Sequence, residues 1–280
     1  MTKIALISDV HGDVTALKAV VADAQQAGCT AFWLIGDLFL PGPGAHDLLT
    51  ILDQLPVTAY VRGNWEDNLL EAIDGPIQLA RPRKIYLAIL GDYVRAQLAA
   101  ADITRLHQLP LVQTRTVDGL TFQLSHNLPT QNWGKTLRPV GDQPAFDQLA
   151  GPTADVVVYG HTHQQLMRWS SAGQLIINPG TVGMPYPDWP SFTADLRAQY
   201  AIVTTHGVAL PTVDFRHVAY DVDAELALAR NRQLPYLTMY TQQLREGMVN
   251  THDATALTQL TTQLGYNRRL QAILARLHQD

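Results

Sequence analysis

Five short blocks of this chain carry side chains that bind metal ions, and none of these is a thiolate. Asp9 and His11 stand in Ser8-Asp9-Val10-His11-Gly12, Asp37 follows Gly36, and Asn64 follows Gly63. His126 lies between Ser125 and Asn127, and His161 and His163 frame Thr162 after Gly160. Carboxylates, imidazoles and an amide oxygen together suit intermediate divalent cations of the Mn, Fe, Zn or Co type. A Gly-Asp or Gly-Asn pair usually supplies only turn geometry, so order and position carry the reading. Each block follows an apolar run of strand type, at residues 3–7, 31–35, 58–61, 120–124 and 156–159. Ligands of α/β sheets gather outside the carboxyl ends of strands, so five such ends can converge on one point. The pattern is that of a two-metal hydrolase.

Asp-x-His, Gly-Asp, Gly-Asn-x-Glu, a lone His and Gly-His-x-His, in this order, resemble the motifs of the calcineurin-like metallophosphoesterases over about residues 3–183. The segment from Asn178 to Gly183 is similar to the Asn-Pro-Gly-Ser stretch of the small bacterial phosphodiesterase branch. The resemblance implies that Asp9, His11 and His163 hold one cation, that Asn64, His126 and His161 hold a second, and that Asp37 bridges them. It places Asp37, Asn64, His126 and His161 closest to the reaction. A bridging carboxylate can hold two cations about 3.5–4 Å apart, where both polarise one phosphoryl group and share an attacking hydroxide. Two dications outweigh two carboxylates, so such a centre attracts an anionic substrate despite the chain's net charge of −5.

Trp65 departs from the family pattern, in which many members carry a His directly after the Asn. An indole N–H is a donor only and cannot serve as a general acid. The loss matters least where the leaving group is already a stable anion, since general acid catalysis supplies about 10²–10⁴-fold. Phosphodiesters and nucleotide phosphoanhydrides, dinucleoside polyphosphates among them, are therefore the expected substrates, ahead of alkyl phosphomonoesters. Trp65 could stack on a nucleobase or pack against the sheet edge. Arg62, Lys135 and Arg138 are candidate phosphate contacts, because Arg offers a bidentate fork and Lys a point charge. Trp133 is a candidate base platform or loop anchor. Glu66 is expected to orient an imidazole. Asp13, where the family often has Asn, is expected to cap a helix.

Two other functions compete. A phosphomonoesterase or protein phosphatase would use the same centre, and a non-catalytic scaffold would keep the fold alone, as the retromer subunit of this fold does. Scaffolds usually show eroded ligands, and here all seven are present. His46, His107, His206, His217, His252 and His278 have no partner at metal spacing and read as surface or packing residues.

The elements must put these blocks in one place. With 280 residues, 46% hydrophobic and 16% charged, the chain can bury about three quarters of its unfolded surface. The expected fold is α/β, a sandwich of two mixed β-sheets flanked by helices with a helical C-terminal extension. Residues 1–220 form the catalytic domain, with 67–110 a candidate helical cap insertion, and 221–280 form the extension, which carries little site chemistry of its own. Helices are predicted at 14–27, 45–55 and 144–150, with a segment broken near Gly91 between 86–90 and 94–98 and another helix from Asp102 to Pro110. Asp118-Gly119 predicts a type I′ hairpin turn, and antiparallel strands follow at 165–169, 175–178, 200–205 and 213–220. Cys29, the one cysteine, reads as a small buried hydrophobe. The chain has no basic stripe for nucleic acid, no secretory signal pattern and no membrane-length apolar run. A cytoplasmic protein acting on a small phosphorylated substrate, with a homo-oligomer contact open to the tail, is the expectation.

Overall fold

The computed structural model describes residues 1–187 and 189–277, so His278 lies outside the described residues. Its strands are β1 Thr2–Ile7, β2 Ala31–Leu34, β3 Val57–Tyr60, β4 Val112–Val117, β5 Leu120–Ser125, β6 Val156–Val158, β7 Leu166–Trp169, β8 Leu175–Asn178, β9 Ala198–Thr205 and β10 Thr212–Val218. Its helices are α1 Val14–Gln26, α2 His46–Asp53, α3 Asn64–Asp74, α4 Pro82–Arg95, α5 Ala100–His107, α6 Gln143–Asp147, α7 Val222–Asn231, α8 Leu237–Glu246, α9 Ala254–Gln263 and α10 Tyr266–Leu277.

Two five-stranded sheets form, ordered β10-β9-β1-β2-β3 and β4-β5-β6-β8-β7. Both are mixed: β1, β2 and β3 run parallel beside antiparallel β9 and β10, and β5, β6 and β8 run parallel between antiparallel β4 and β7. Period-two alternation decides what each face buries. Ile4 and Leu6 of β1 join Trp33, Phe122, Leu124, Val156 and Ile177 between the sheets, while Ala5 and Ile7 point to the helices on the other side. A smaller core of Phe146, Leu149, Val157, Tyr159 and Ile176 covers the outer face of the second sheet. The β4–β5 turn has φ of 50° at Asp118 and 92° at Gly119, the two positive values a type I′ turn requires.

The helical region departs from the sequence reading in one place. Helix α4 runs unbroken through Gly91. A Cβ there would lie 2.3 Å from the Cβ of Ala72, so the glycine lets α3 and α4 approach closely rather than ending the helix. The tail packs on the segments beside the first ligand loop. Glu225 of α7 is fully buried and accepts the backbone N–H of Thr15 at 2.9 Å and the Tyr240 hydroxyl at 3.1 Å. Gln243 of α8 donates to the Gly183 carbonyl at 3.0 Å. Asp13 caps α1 by accepting from the Ala16 N–H at 2.8 Å, as its place before an amphipathic run predicts.

Glu66 positions the loops, though by a route different from the one expected. Among the described residues no imidazole hydrogen-bonds to its carboxylate. It accepts three backbone N–H groups, from Asp37 at 2.8 Å, Leu38 at 2.7 Å and Gly63 at 2.8 Å. It thereby ties the loop after β2 to the start of α3. Gly63 is required there, because a Cβ would fall 2.1 Å from Oδ1 of Asp37.

Replacing Glu66 with Gln turns an NH₂ toward at least one of these donors, and we expect a loss of about 2–3 kcal/mol in urea unfolding. A second expectation concerns α1 and the sheet edge. Asp23 accepts from Arg216 at 3.0 and 3.1 Å and from the Tyr200 hydroxyl at 2.5 Å. Those bonds, Arg216 first, hold its carboxyl below the usual range. A depressed carboxylate adds stability above its unfolded pKa and loses it as pH falls through the folded value. Asp23→Asn should therefore be less stable at pH 7 by no more than about 1 kcal/mol, given the pair's exposure. Thermal melts should show the difference shrinking as the pH falls from 7 through the folded-state titration of Asp23.

Candidate metal centre

All seven residues that the sequence marks as ligands meet at one end of the sandwich. Asp9 and His11 follow β1, Asp37 follows β2, Asn64 opens α3 directly after β3, His126 follows β5, and His161 and His163 follow β6. They form two groups, Asp9 with His11 and His163, and Asp37 with His126 and His161, in each of which the ligand atoms lie within 4.8 Å of one another. Nε2 of His163 is 3.0 Å and Nε2 of His11 3.7 Å from Oδ1 of Asp9. Oδ2 of Asp37 lies 3.2 Å from Nε2 of His126 and 3.9 Å from Nε2 of His11, so it stands between the groups. Oδ1 of Asn64 is 3.2 Å from Nε2 of His126.

Backbone conformation sets this convergence. Asp9, His11, Asp37, His161 and His163 all have φ between 52° and 65°, a region that few non-glycine residues occupy. Neighbouring main chain holds them there: Asp9 N–H donates to the Gly36 carbonyl at 3.1 Å, and His11 N–H to the Asp37 carbonyl at 3.0 Å. Each aspartate then has one oxygen tied down. Oδ2 of Asp9 accepts from the Ser8 hydroxyl at 2.5 Å and the His161 N–H at 3.1 Å, and Oδ1 of Asp37 accepts from the Trp65 N–H at 2.7 Å. The other oxygen of each, Oδ1 of Asp9 and Oδ2 of Asp37, is buried and makes no hydrogen bond.

The imidazoles are aimed by the same logic. Nδ1 of His11 donates to the Leu40 carbonyl at 2.7 Å, Nδ1 of His126 to Ile35 at 2.6 Å, and Nδ1 of His163 to Met184 at 2.6 Å. A carbonyl can only accept, so in each neutral ring the proton sits on Nδ1 and the Nε2 lone pair faces inward. Two such lone pairs, on His11 and His163, are 3.1 Å apart. His161 is turned over: its Nε2 lies 2.8 Å from the Gly134 carbonyl oxygen and 3.2 Å from the Gly134 N–H, and donation to the closer carbonyl leaves Nδ1 as the ligand atom. Facing lone pairs and bare buried carboxylate oxygens need cations between them, and the N/O donor set fits intermediate divalent metals.

Charge agrees with that fit. Burial would raise the Asp9 carboxyl, but His163, His11 and His126 hold it well below the usual range. Burial likewise opposes ionisation of Asp37, and His126 and then His11 bring its carboxyl down. Burial would lower His126, yet the carboxylates of Asp37 and Asp9 push it up to about 10. Burial and then His126 hold His161 down at about 4. Protons and cations therefore compete for the Nε2 of His126. Burial and then the Asp37 carboxylate push Glu66 up to about 7.

The residues singled out for substrate have varied surroundings. Arg62 is paired with Asp67 at 3.0 Å, and Asp67 also accepts from Asn132 at 2.7 Å, so this arginine braces the loop after His126. Trp65 is only 5% exposed and sets its indole edge-on to His11 at 5.2 Å, which is the packing arrangement. Lys135 is exposed beside Gly134, the partner of His161, and Arg138 is half-buried further along that loop. Trp133 is 61% exposed. His46, His107 and His217 sit against Asp102, Asp74 and Asp195, away from the centre.

Sequence reasoning missed Arg83, whose guanidinium carbon lies 5.8 Å from the centroid of the Trp65 ring. No local pattern marks a lone arginine near the start of a helix, and only the packing of α4 on α3 brings it there.

Comparison with known proteins gives the same picture. The calcineurin-like phosphoesterase superfamily domain matches residues 2–207. An uncharacterized protein of Methanocaldococcus jannaschii is 26% identical over 199 residues, 65% of this chain and 76% of the relative. A symmetrical bis(5′-nucleosyl)-tetraphosphatase of Serratia proteamaculans is 32% identical over 137 residues, 46% of this chain and 44% of that protein. Among solved structures, a metallophosphoesterase from Sphaerobacter thermophilus superposes with a TM-score of 0.66 at 24% identity, covering 88% of this chain and 100% of that one. A hypothetical protein from Pyrococcus horikoshii OT3 gives 0.69 at 16% identity, over 89% and 99%. These two share the fold, and the matched residues 2–207 contain every ligand block and the segment from Asn178 to Gly183. The chain belongs to the calcineurin-like phosphoesterase superfamily.

Proposed function

We propose that this protein is a hydrolase of phosphodiester or nucleotide phosphoanhydride bonds that works with two divalent cations of the Mn, Fe, Zn or Co type. Dinucleoside polyphosphates are the preferred class of substrate. The observation that carries the choice is Trp65, buried against His11 where a protonating imidazole would be needed for alkyl monoesters. The partial likeness to a symmetrical bis(5′-nucleosyl)-tetraphosphatase supports the same substrate class.

Asp9, His11 and His163 would hold one cation, and Asn64, His126 and His161 the other, with Asp37 between them. When bound, such cations polarise a phosphoryl group and lower the pKa of an attacking water. The chain's own part is positioning. Main-chain bonds fix the ligand loops, Glu66 locks the Asp37 loop to α3, and the Nδ1 bonds keep three Nε2 atoms facing inward. The indole at position 65 cannot deliver a proton to the leaving oxygen, so substrates whose leaving group departs as a stable anion are favoured. Retention of all seven ligands in ligand geometry favours an enzyme over a scaffold. Among the described residues no helix is long and apolar enough to cross a membrane, which accords with a substrate taken from solution.

Bis-p-nitrophenyl phosphate and a dinucleoside tetraphosphate should be hydrolysed with Mn²⁺ at least about tenfold faster than an alkyl phosphomonoester such as glycerol phosphate, and not at all after chelation. Turnover of the monoester alone would reject the substrate class. Silence on all three with metal bound would reject the enzyme. Asp37→Asn should lower kcat/KM at least about a hundredfold and reduce metal content by elemental analysis, with an unchanged far-ultraviolet spectrum. Full metal content with normal turnover would show that Asp37 does not hold the cations.

A further inference from the structure

Arg83 is a half-buried arginine with no part in the centre described above. It projects from the first turn of α4 over the ring of Trp65, whose edge faces His11. Its Nε is buried with no hydrogen-bond partner, and no carboxylate lies within ion-pair distance among the described residues. Its neighbour Lys84 is satisfied by Glu71. Burial disfavours the Arg83 charge, and Tyr86, Asp37 and Glu71 offset this only in part. An unpaired, half-buried guanidinium is costly unless something anionic visits it.

A second cation stands on the other side of the centre. Lys135 is exposed directly after Gly134, whose carbonyl receives Nε2 of His161 at 2.8 Å. Arg83 therefore flanks the centre on the His11 side and Lys135 on the His161 side. Both are donors suited to phosphate oxygens, and Arg83 offers a planar fork held by cation–π contact.

We infer that Arg83 and Lys135 form a clamp for the non-reacting phosphate groups of a polyphosphate chain, so that they select substrates with several phosphates over simple diesters. This rests on the hydrolytic reading above and refines it. The clamp joins α4 and the loop after β5.

The test uses the full-length, metal-loaded protein with two substrates, and inorganic tripolyphosphate as a binding probe in the presence of chelator. Arg83→Gln should lower kcat/KM for a dinucleoside tetraphosphate at least about tenfold more than for bis-p-nitrophenyl phosphate, and should weaken tripolyphosphate binding by calorimetry to a similar degree. Arg83→Lys should restore part of the loss, since charge returns without the fork. Lys135→Gln, on an exposed side chain with little bearing on folding, should show the same selective pattern at about threefold. Equal losses on both substrates would mean that Arg83 only supports Trp65, and would overturn the clamp. Normal discrimination by both Gln variants would overturn it while the hydrolytic reading stands. Tripolyphosphate binding that depends on Arg83, in a protein that hydrolyses neither substrate, would support the clamp and reject the hydrolytic reading.

Discussion

Two aspartates, each with one oxygen anchored and the other bare, impose the central constraint on this molecule. A buried carboxylate oxygen without a donor is unfavourable, and two of them facing inward imidazole lone pairs are more so. The arrangement is reasonable only if cations complete it. Everything around the site serves to hold these like-disposed groups together, from the Ser8 hydroxyl on Asp9 to the Trp65 amide on Asp37.

Holding them also requires backbone that proteins normally avoid. Five ligand residues in the left-handed region each cost on the order of 1 kcal/mol. The sandwich offsets this by burying both faces of β1 and its neighbours and by satisfying the loop amides one by one. The segment after β8 contributes directly, since Val182 and Gly183 donate to the carbonyls of Ser8 and Asp9 at 3.1 and 3.0 Å. The Asn178 to Gly183 sequence is thus a strap across the first ligand loop as well as a family signature.

The sheets and ligand blocks were readable in the sequence because both are local. An apolar run of four or five residues followed by Gly-Asp or Gly-His announces a strand end and a polar loop wherever it falls, and Asp118-Gly119 announces its own turn. What escaped depends on partners far apart in the chain. Glu66 lies two residues from a ligand yet serves backbone amides brought in from the loop after β2. Arg62 looks available for phosphate until Asp67 and Asn132 enclose it. Gly91 looks like a helix breaker until Ala72 of α3 is set against it. Trp65 could have been a platform or a plug, and only the packing beside His11 and beneath Arg83 distinguishes the two. In the tail, helical periodicity predicted α7 to α10 but gave no sign that Glu225 would reach the start of α1.

That last contact has a wider meaning. Glu225 grips the Thr15 amide just after His11, Gly12 and Asp13, and Gln243 grips Gly183 at the end of the strap. The extension is therefore fastened at both margins of the first ligand loop. Melting of the tail and release of the loop become one cooperative event, and occupancy of the centre would be felt as protection of helices far along the chain from proteolysis and amide exchange.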